Sequence, residues 1–338
     1  MPDANLEFRP FRGEDRQTII RLLSAGRANY EREKRAIFDW QFLDNPAGDG
    51  GSPFLVGTLG GEIVAVNGFM PVRIRFQGHP LSACWSCDTY VDAAYRGHGF
   101  GKALIERVSQ RAPVMVGFGI SDASDPIFAR NDWILDDTLA TQFFHTEGGS
   151  LRGTVKSLCS RAARFRGRGM RGVDPEVRVE EQIAAEELDA LWQRAAPQYF
   201  SAVERNAAYL IWRYRKHPRL NYRWLGARRG GELRALVIIR HHPAESVIAD
   251  YAGPADDGDL LADLFDAARC QLAASGTRRV RCETTHPSVR SALARVGFLP
   301  ARCAGRFRVR SNLSVESTPV KDWLIFTGDS DNDMLVLD

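Results

Sequence analysis

A glycine-dense turn between a predicted strand and a predicted helix constrains the fold of this chain more than any other feature. Residues 91–108 read VDAAYRGHGFGKALIERV, with glycines at positions 97, 99 and 101 ahead of an amphipathic run. Glycine adopts backbone conformations that other residues avoid, and it lets the backbone approach a ligand closely. The helix that follows directs its unpaired N–H groups and the positive end of its dipole at the turn. The segment therefore predicts an anion-binding site, and a pyrophosphate fits it.

Two other phosphate-binding motifs have different spacings. A dinucleotide-binding fingerprint requires G-x-G-x-x-G and a later acidic residue, and a Walker loop requires Gly-Lys-Ser or Gly-Lys-Thr after four spacer residues. Neither spacing occurs in residues 91–108. The remaining alternative is an ordinary glycine-rich connection, because glycine turns are common. The position between a strand and an amphipathic helix favours the anion site.

The order Arg96-x-x-Gly99-x-Gly101, after a strand that ends at Val91, resembles the acetyl-CoA pyrophosphate loop of the GNAT N-acyltransferase superfamily. The resemblance implies a mixed α/β fold that uses acetyl-CoA or another acyl-CoA as co-substrate and an amine as acceptor. It also implies that parallel strands at 85–91 and 114–120 splay apart to hold the acyl end. The cofactor-binding residues that it implies are Val91, Arg96, Gly97, His98, Gly99, Phe100, Gly101 and Lys102.

Hydrophobic periodicity predicts the same order of elements in each half of the chain. In the first half it predicts a helix at 101–111 and strands at 54–59, 63–75, 81–91 and 114–120. In the second half it predicts a helix at 260–274 and strands at 222–227, 233–241, 246–251 and 279–284. Strands that come first and then alternate with helices indicate a mixed sheet.

Length and composition indicate a soluble protein of two domains. The 338 residues suit two domains of about 150 residues each. Hydrophobic residues make up 44% and charged residues 26%, and the formal net charge of +3 is too small to indicate a nucleic-acid partner. We find no apolar run of membrane-spanning length and no signal-peptide pattern at the N-terminus. We expect a cytoplasmic protein without a transmembrane segment.

The six cysteines show neither a disulfide framework nor a metal-ligand pattern. Cys84 and Cys87 form a Cys-x-x-Cys pair on a predicted strand, where residues three apart face opposite sides of the sheet. The two thiols therefore diverge, and no second ligand pair accompanies them. We predict buried structural cysteines and no metal site.

Sequence landmarks recur in the same order at a spacing of about 170 residues. The segment FDWQFLDNP at 38–46 reappears as LIWRYRKHP at 210–218, with Trp, an aromatic residue and Pro at the same intervals. Gly60-Gly61-Glu62 and Gly230-Gly231-Glu232 each mark a predicted hairpin turn. The spacing of Trp and Pro is not a property of turns, so it favours an internal repeat.

A third landmark pairs residues 128–133 with 293–298, and both resemble the helix-to-strand ending of a GNAT domain. Three agreements in one order predict two tandem GNAT-like domains joined head to tail. The alternative is that unrelated α/β units share the same turn residues. The predicted division is an acyl-CoA-binding domain at 1–147, a basic linker at 148–174, and a degenerate substrate-binding or scaffolding domain at 175–338.

Charge distinguishes the two predicted domains and the linker. Where the first half has its glycine-dense turn, the second half has Asp256, Asp257 and Asp259 at the predicted start of a helix. Three carboxylates satisfy the helix dipole internally and repel a pyrophosphate, so we expect only the first half to bind CoA. Residues 151–173 contain seven Lys or Arg and no acid, and 155–165 is either a short basic surface helix or part of a solvated linker.

Acyl transfer to an amine requires a base for the amine, donors for the thioester oxygen and an acid for the leaving thiolate. Asp88 is the first candidate for the base, because several GNAT enzymes carry an acidic residue facing the gap on the corresponding strand. The alternative is a structural carboxylate paired with a neighbouring Arg or a backbone amide. Asp122 is the reserve candidate, although an Asp beside serines is typical of a helix cap.

The acid is harder to assign, because Phe128 stands where the family commonly has the tyrosine that protonates the thiolate. A phenyl ring donates no proton. Either Tyr90 or Tyr251 takes this part, or water protonates a thiolate that needs little help near pH 8. The predicted catalytic residues are Asp88 and Tyr90.

The resulting hypothesis is an acyl-CoA-dependent N-acyltransferase, specifically an N-acetyltransferase, that acts on a primary amine of a small molecule. Paired domains with one cofactor site resemble enzymes that acylate nucleotide-linked amino sugars. The ending at 323–331 resembles tails of GNAT proteins from bacterial polysaccharide pathways. One alternative is a Fem-type aminoacyl-tRNA-dependent transferase, which does not need the CoA loop. The other is a non-enzymatic CoA-binding sensor, which the missing tyrosine favours.

Overall fold

The computed structural model describes residues 6–25, 27, 29–146, 155–160, 162, 176–303, 305–313 and 322–334. Within these ranges the helices and strands form a mixed α/β fold with two mixed sheets, as the sequence predicts. No helix in these ranges is long and apolar enough to cross a membrane. Most of the predicted linker at 148–174 lies outside the described residues.

The first sheet contains the predicted strands of the first half. Its described strands are β1 (Glu7–Pro10), β2 (Phe54–Leu59), β3 (Glu62–Phe76), β4 (His79–Val91), β5 (Val114–Phe118), β6 (Ile134–Asp136), β9 (Ser201–Val203), β15 (Phe307–Ser311) and β16 (Trp323–Leu324). They run in the order β1-β2-β3-β4-β5-β15-β6, with β9 between β3 and β16. β4 and β5 are parallel, whereas β1 to β4 form antiparallel pairs.

The second sheet has a similar arrangement, and all of its strands except β7 come from the second half of the chain. Its described strands are β7 (Ala140–His145), β8 (Glu176–Val179), β10 (Arg223–Arg229), β11 (Glu232–Arg240), β12 (Ser246–Ala252), β13 (Arg279–Thr284) and β14 (Leu299–Ala301). They run in the order β14-β7-β13-β12-β11-β10-β8, and β12 and β13 are its parallel pair.

Amphipathic helices cover the sheets. The described helices are α1 (Arg16–Ser24), α2 (Tyr30–Phe42), α3 (Phe100–Val108), α4 (Asp125–Arg130), α5 (155–160), α6 (Ala185–Ala195), α7 (Ala207–Leu210), α8 (Gly258–Ala274) and α9 (Pro287–Arg295). α7 continues as a π-helical turn over Ile211–Arg215. α5 is the described part of the basic helix predicted at 155–165.

The two sheets exchange strands. β7 belongs to the first half of the chain but lies between β14 and β13 in the second sheet. β15 belongs to the second half but lies between β5 and β6 in the first sheet. The sheets therefore do not divide at the predicted domain boundaries of 147 and 175, because each half completes the sheet of the other.

The repeated Trp positions contact each other directly. The rings of Trp40 and Trp212 stack with their centroids 5.0 Å apart. The indole N–H of Trp40 donates to the carbonyl oxygen of Trp212 at 3.0 Å, and the indole N–H of Trp212 donates to the carbonyl oxygen of Trp40 at 3.0 Å. The sequence repeat between 38–46 and 210–218 therefore places its two tryptophans in contact with each other.

The other repeated landmarks also adopt matching conformations. Gly60 and Gly61 have φ angles of 57° and 86°, and Gly230 and Gly231 have φ angles of 60° and 82°. Each pair closes an antiparallel hairpin, as predicted, because this turn requires positive φ at both central residues. At the end of α4, the backbone N–H of Trp133 donates to the Phe128 carbonyl oxygen at 3.2 Å. At the end of α9, the backbone N–H of Phe298 donates to the Leu293 carbonyl oxygen at 3.0 Å.

The predicted divergence of Cys84 and Cys87 is confirmed. Cys84 packs in the apolar cluster that contains Leu104 of α3, and Cys87 packs in the cluster that contains Phe38 of α2. The two helices cover opposite faces of the first sheet. Burial raises the pKa of the Cys84 thiol to about 12, so it is inert at neutral pH.

Candidate functional site

A gap opens between the parallel strands β4 and β5, as the family resemblance implies. The strands pair at Cys84 with Met115 and at Trp85 with Val116, and their pairing ends there. β4 continues to Val91, so its last six residues separate from β5. The gap faces the glycine-dense turn at one end and the end of β5 at the other.

A β-bulge in β4 lies beside the gap. The register against β3 shifts between Val66 and Gly68, which places Asp88 and Thr89 opposite Asn67. Asp88 has a φ of 49°, in the left-handed region that non-glycine residues seldom occupy. The buried Asn67 side-chain oxygen accepts a hydrogen bond from the Thr89 hydroxyl at 2.6 Å, which braces the bulge. Strained backbone of this kind is concentrated at functional sites.

Beyond the bulge, the backbone of β4 presents hydrogen-bond donors to the gap. The Asp92 N–H donates to the Val64 carbonyl oxygen at 2.9 Å, towards β3. Because successive residues of a strand point their N–H groups to opposite sides, the Val91 N–H points into the gap. The Val91 carbonyl oxygen accepts from the Arg96 side chain at 3.1 Å. A donor therefore lies where the resemblance implies the pantetheine arm and the thioester oxygen.

The glycine-dense turn leaves an open space in front of α3, and we call this turn and the first turn of α3 the cradle. α3 begins at Phe100 with Gly99 as its N-cap, and Gly97 and Gly99 have φ angles of 84° and 83°. A Cβ atom added at either glycine would meet no atom within 4 Å, so the space in front of the helix is open. The first N–H groups of a helix have no partner within the helix, and a glycine cap supplies no side chain to satisfy them. These groups fit the pyrophosphate of an acyl-CoA.

The other predicted cofactor-binding residues surround this cradle. Arg96 is exposed, and its guanidinium carbon lies 5.5 Å from the ring centroid of Tyr90. His98 is exposed, and its ring nitrogen contacts the Arg96 carbonyl oxygen at 3.1 Å. Lys102 is exposed on the first turn of α3. Cationic side chains therefore accompany the free N–H groups at the turn.

Two adjoining cavities lie between the cradle and the bulge. The first, the cofactor cavity, has a volume of about 490 Å³ and is lined by Tyr90, Val91, Arg96, Gly97 and Gly101, among others. The second, the acceptor cavity, has a volume of about 320 Å³ and includes Asp88 in its lining. Both are lined by Arg27, Thr89, Ser121, Ser124 and Phe128. A ligand bound at the cradle can therefore extend to the bulge.

Asp88 lines the acceptor cavity, as predicted for the base, but its carboxylate is already engaged. It forms an ion pair with Lys34 of α2, and it accepts a hydrogen bond from the Tyr30 hydroxyl at 3.0 Å. Lys34 is 1% exposed and also donates to the Gln41 side chain at 2.7 Å. Both carboxylate oxygens of Asp88 therefore contact side chains of α2.

A second carboxylate, which is not among the candidates predicted from the sequence, reaches the acceptor cavity from the C-terminal segment. Asp331 lines the cavity together with Asp88 and Asn332. Burial and the neighbouring Asp88 carboxylate raise the pKa of Asp331 to about 6, against the opposing effect of the Lys34 ammonium. A carboxylate of this pKa accepts a proton near neutral pH far better than an ordinary one.

The remaining catalytic candidates lie elsewhere. The Asp122 side chain is 77% exposed and pairs with Arg306 at 2.5 Å, so it is neither a helix cap nor a group inside the gap. Phe128 is buried and packs edge-to-face on Trp133 with centroids 4.9 Å apart. Tyr251 is fully buried in the second half, where its hydroxyl donates to the Pro254 carbonyl oxygen at 2.6 Å. Of the predicted acids, Tyr90 lines the cofactor cavity.

The corresponding gap of the second half is filled by the C-terminal segment. β12 and β13 pair at 246–248 with 280–282 and then separate. Phe326 forms an isolated bridge with Thr284 of β13, and a Cβ atom at Gly328 would lie 2.6 Å from the Ala249 carbonyl oxygen of β12. The segment 326–328 therefore occupies the space between the two strands.

The acidic turn of the second half also differs from the cradle, as predicted. The Asp257 carboxylate accepts a hydrogen bond from the Leu260 N–H at 2.9 Å at the start of α8. Asp259 pairs with Arg295 at 2.6 Å. A side chain of the chain itself thus takes the place of an anion at this helix terminus.

Comparison with known proteins agrees with this geometry. Residues 7–118 match the family model described as the acetyltransferase (GNAT) domain. The predicted resemblance to the GNAT superfamily is thus confirmed for residues 7–118, and a second GNAT-like domain stays a prediction. No curated protein matches the chain by sequence.

Solved structures share the fold over almost the whole chain. A GCN5-related N-acetyltransferase from Anabaena variabilis is similar with a TM-score of 0.61 and 12% identity, covering 90% of this chain and 72% of that one. A GCN5-related N-acetyltransferase from Kribbella flavida gives a TM-score of 0.58 and 14% identity, with coverage of 91% and 71%. Saccharomyces cerevisiae N-myristoyltransferase with bound myristoyl-CoA gives 0.58 and 11%, with coverage of 92% and 83%. At these identities the likeness establishes a GNAT-like α/β fold.

Proposed function

We propose that this protein is an acyl-CoA-dependent N-acyltransferase that acylates the primary amine of a small molecule. The observation that carries the proposal is the pair of adjoining cavities at the gap between β4 and β5, one lined by residues of the glycine cradle and the other by Asp88 and Asp331. The cradle N–H groups bind the pyrophosphate of the acyl-CoA, and the Val91 N–H points to the thioester. The acyl-CoA supplies the activated acyl group.

In this proposal Asp331 accepts the proton of the acceptor ammonium, and Asp88 shapes its environment. Asp88 is ion-paired with Lys34, whereas the carboxylate of Asp331 has a raised pKa and faces the cavity. The freed amine then attacks the thioester carbonyl carbon. Tyr90, which lines the cofactor cavity, or water protonates the leaving thiolate.

The acceptor cavity favours a small polar amine over an apolar one. Its lining is rich in hydroxyl and amide side chains, from Tyr30, Gln41, Ser86, Ser121, Ser124 and Asn332. Such groups can hydrogen-bond to the hydroxyls of a sugar, whereas a bound hydrocarbon would leave them without partners. We therefore propose an amino sugar, free or linked to a nucleotide, as acceptor and acetyl-CoA as donor.

The proposal is tested by measuring thiol release from acetyl-CoA with purified protein and a panel of amino sugars, polyamines and amino acids. Release that depends on one class of amine supports the transferase. CoA binding without release under any condition favours the second candidate, a CoA-binding sensor, to which the phenyl ring of Phe128 points. A matched incubation without amine measures uncatalysed hydrolysis.

Activity is expected to rise with pH through about 6, the value to which burial raises the pKa of Asp331. Below this pH the carboxyl group is protonated and accepts no proton, and above it the base is available. The measurement is kcat/KM against pH between about 5 and 8, since this ratio reports the free enzyme. A profile that is flat across this range would contradict the assignment of Asp331.

One CoA is expected to bind per chain. The first half has the open cradle, whereas in the second half Asp257 caps the equivalent helix and the segment 326–328 fills the gap. Titration calorimetry with CoA measures the stoichiometry directly. Two sites per chain would show that the second half has kept its cofactor site.

A further inference from the structure

The C-terminal turn that carries Asp331 is fastened to the second half by buried arginines. Arg213, on the π-helical turn after α7, is 0% exposed. Its guanidinium donates to the carbonyl oxygens of Gly328 at 2.8 Å, Ser330 at 3.4 Å and Asp333 at 3.2 Å. One side chain thus bonds the backbone on both sides of Asp331.

Carboxylates on either side of Asp331 are fastened as well. Asp329 accepts a hydrogen bond from Arg205 at 2.6 Å, and both side chains are 0% exposed. Asp333 accepts from Arg240 at 3.1 Å. The flanking acids therefore point into the second half, and Asp331 between them faces the acceptor cavity of the first half.

Tyr222 contacts both Arg213 and the turn that carries Asp331. Its hydroxyl donates to the Asp333 carbonyl oxygen at 2.6 Å and accepts from Arg213 at 3.3 Å. Tyr222 immediately precedes β10 and is buried. The position of the turn is thus set by Arg213 and Tyr222, which are not among the residues that line either cavity.

We propose that Arg213 and Tyr222 are positioning residues that hold the Asp331 carboxylate at the acceptor cavity, an assignment that rests on the proposed function. The second half of the chain is then a scaffold for a group that the first half uses. Catalysis depends steeply on the placement of a reacting group, and a displacement of about 1 Å costs on the order of a hundredfold in rate. The scaffold therefore affects turnover without touching the substrate.

Tyr222→Phe is the first test, because it removes one hydroxyl and keeps the ring. Tyr199→Phe is the matched control, since the buried Tyr199 hydroxyl also donates to a carbonyl oxygen at 2.6 Å, that of Gly253, in the same half. We expect about a tenfold fall in kcat for Tyr222→Phe and less than about a twofold change for the control. Both variants should bind CoA with unchanged Kd in calorimetry.

Arg213→Lys is the second test. It keeps the buried charge, but an ammonium cannot match the fixed fork of a guanidinium to three carbonyl oxygens, so kcat should fall further than in Tyr222→Phe. Should this variant fail to fold, the comparison of Tyr222→Phe with Tyr199→Phe decides alone. Equal kcat in those two variants overturns the positioning role.

Asp331→Asn separates this assignment from the proposed function. An inactive Asp331→Asn with a fully active Tyr222→Phe would leave the function standing and remove the positioning role. A fully active Asp331→Asn would overturn the assignment of Asp331 as the base. The positioning role of Arg213 and Tyr222 would then be overturned as well. Loss of activity in both supports the two assignments together.

Discussion

Asp331→Asn is expected to lower turnover by about a hundredfold or more, the contribution typical of general-base catalysis, and to leave CoA affinity unchanged. The amide is nearly isosteric with the carboxylate but accepts no proton. The proposed phosphate contacts are at Gly97 to Lys102, away from the acceptor cavity, so the Kd for CoA should not change. Steady-state kinetics with calorimetry on the same preparation measures both quantities.

Two further variants serve as comparisons. Asp122→Asn changes an exposed carboxylate paired with Arg306 and should keep full activity. Asp88→Asn leaves the buried Lys34 ammonium without its counter-charge, so we expect a marked loss of thermal stability, since breaking a buried pair costs about 3–5 kcal/mol. A stable Asp88→Asn enzyme with hundredfold lower kcat, beside an active Asp331→Asn, would return the base to Asp88.

Gly99→Val and Gly101→Asp are each expected to weaken CoA binding by well over about tenfold. Valine at position 99 is strained at a φ of 83° and places methyl groups in the open space before α3. A Cβ atom at Gly101 would lie 3.3 Å from Ile127, and the added carboxylate repels the pyrophosphate. Calorimetric titration with CoA gives the change in Kd.

Matched variants isolate the causes of these losses. Gly276→Val imposes the same strain at a φ of 82°, in open space after α8, and should leave the Kd for CoA unchanged. Gly101→Asn adds nearly the same volume as Gly101→Asp without the charge, so it should retain more affinity. Unchanged CoA affinity in both Gly99→Val and Gly101→Asp would remove the cradle assignment.

Local signals allowed the cradle and the hairpins to be predicted from the sequence. A helix start after Gly99 and turns at Gly60-Gly61 depend on backbone conformations that few residues besides glycine adopt, so the residue type itself reports the geometry. The buried Lys34 also had a local signal, because it lies four residues after Tyr30 and three before Ile37, on the buried face of α2. A lysine at such a position requires a buried partner.

Contacts between distant parts of the chain had no such signal. Asp331 lies in a short turn with further acids at 329 and 333, and nothing in their spacing tells which of them faces the gap. Their directions follow from Arg205, Arg213 and Arg240, which the fold brings together. The sheet to which β7 and β15 belong could not be predicted for the same reason. Periodicity indicates that a segment is a strand, but it does not indicate which strand pairs with it.

Because β15 lies in the first sheet, that sheet can be completed only late in the synthesis of the chain. β5 ends at Phe118 and its neighbour β15 ends at Ser311, so the sheet around the acyl gap stays incomplete until the ribosome has passed residue 311. At a translation rate of about 5–20 residues per second, the edge of β5 stays unpaired for roughly 10–40 s before β15 has been synthesised. An unpaired edge recruits strands from other chains. Soluble yield during expression is therefore governed by protection of the nascent first half as well as by the stability of the finished fold.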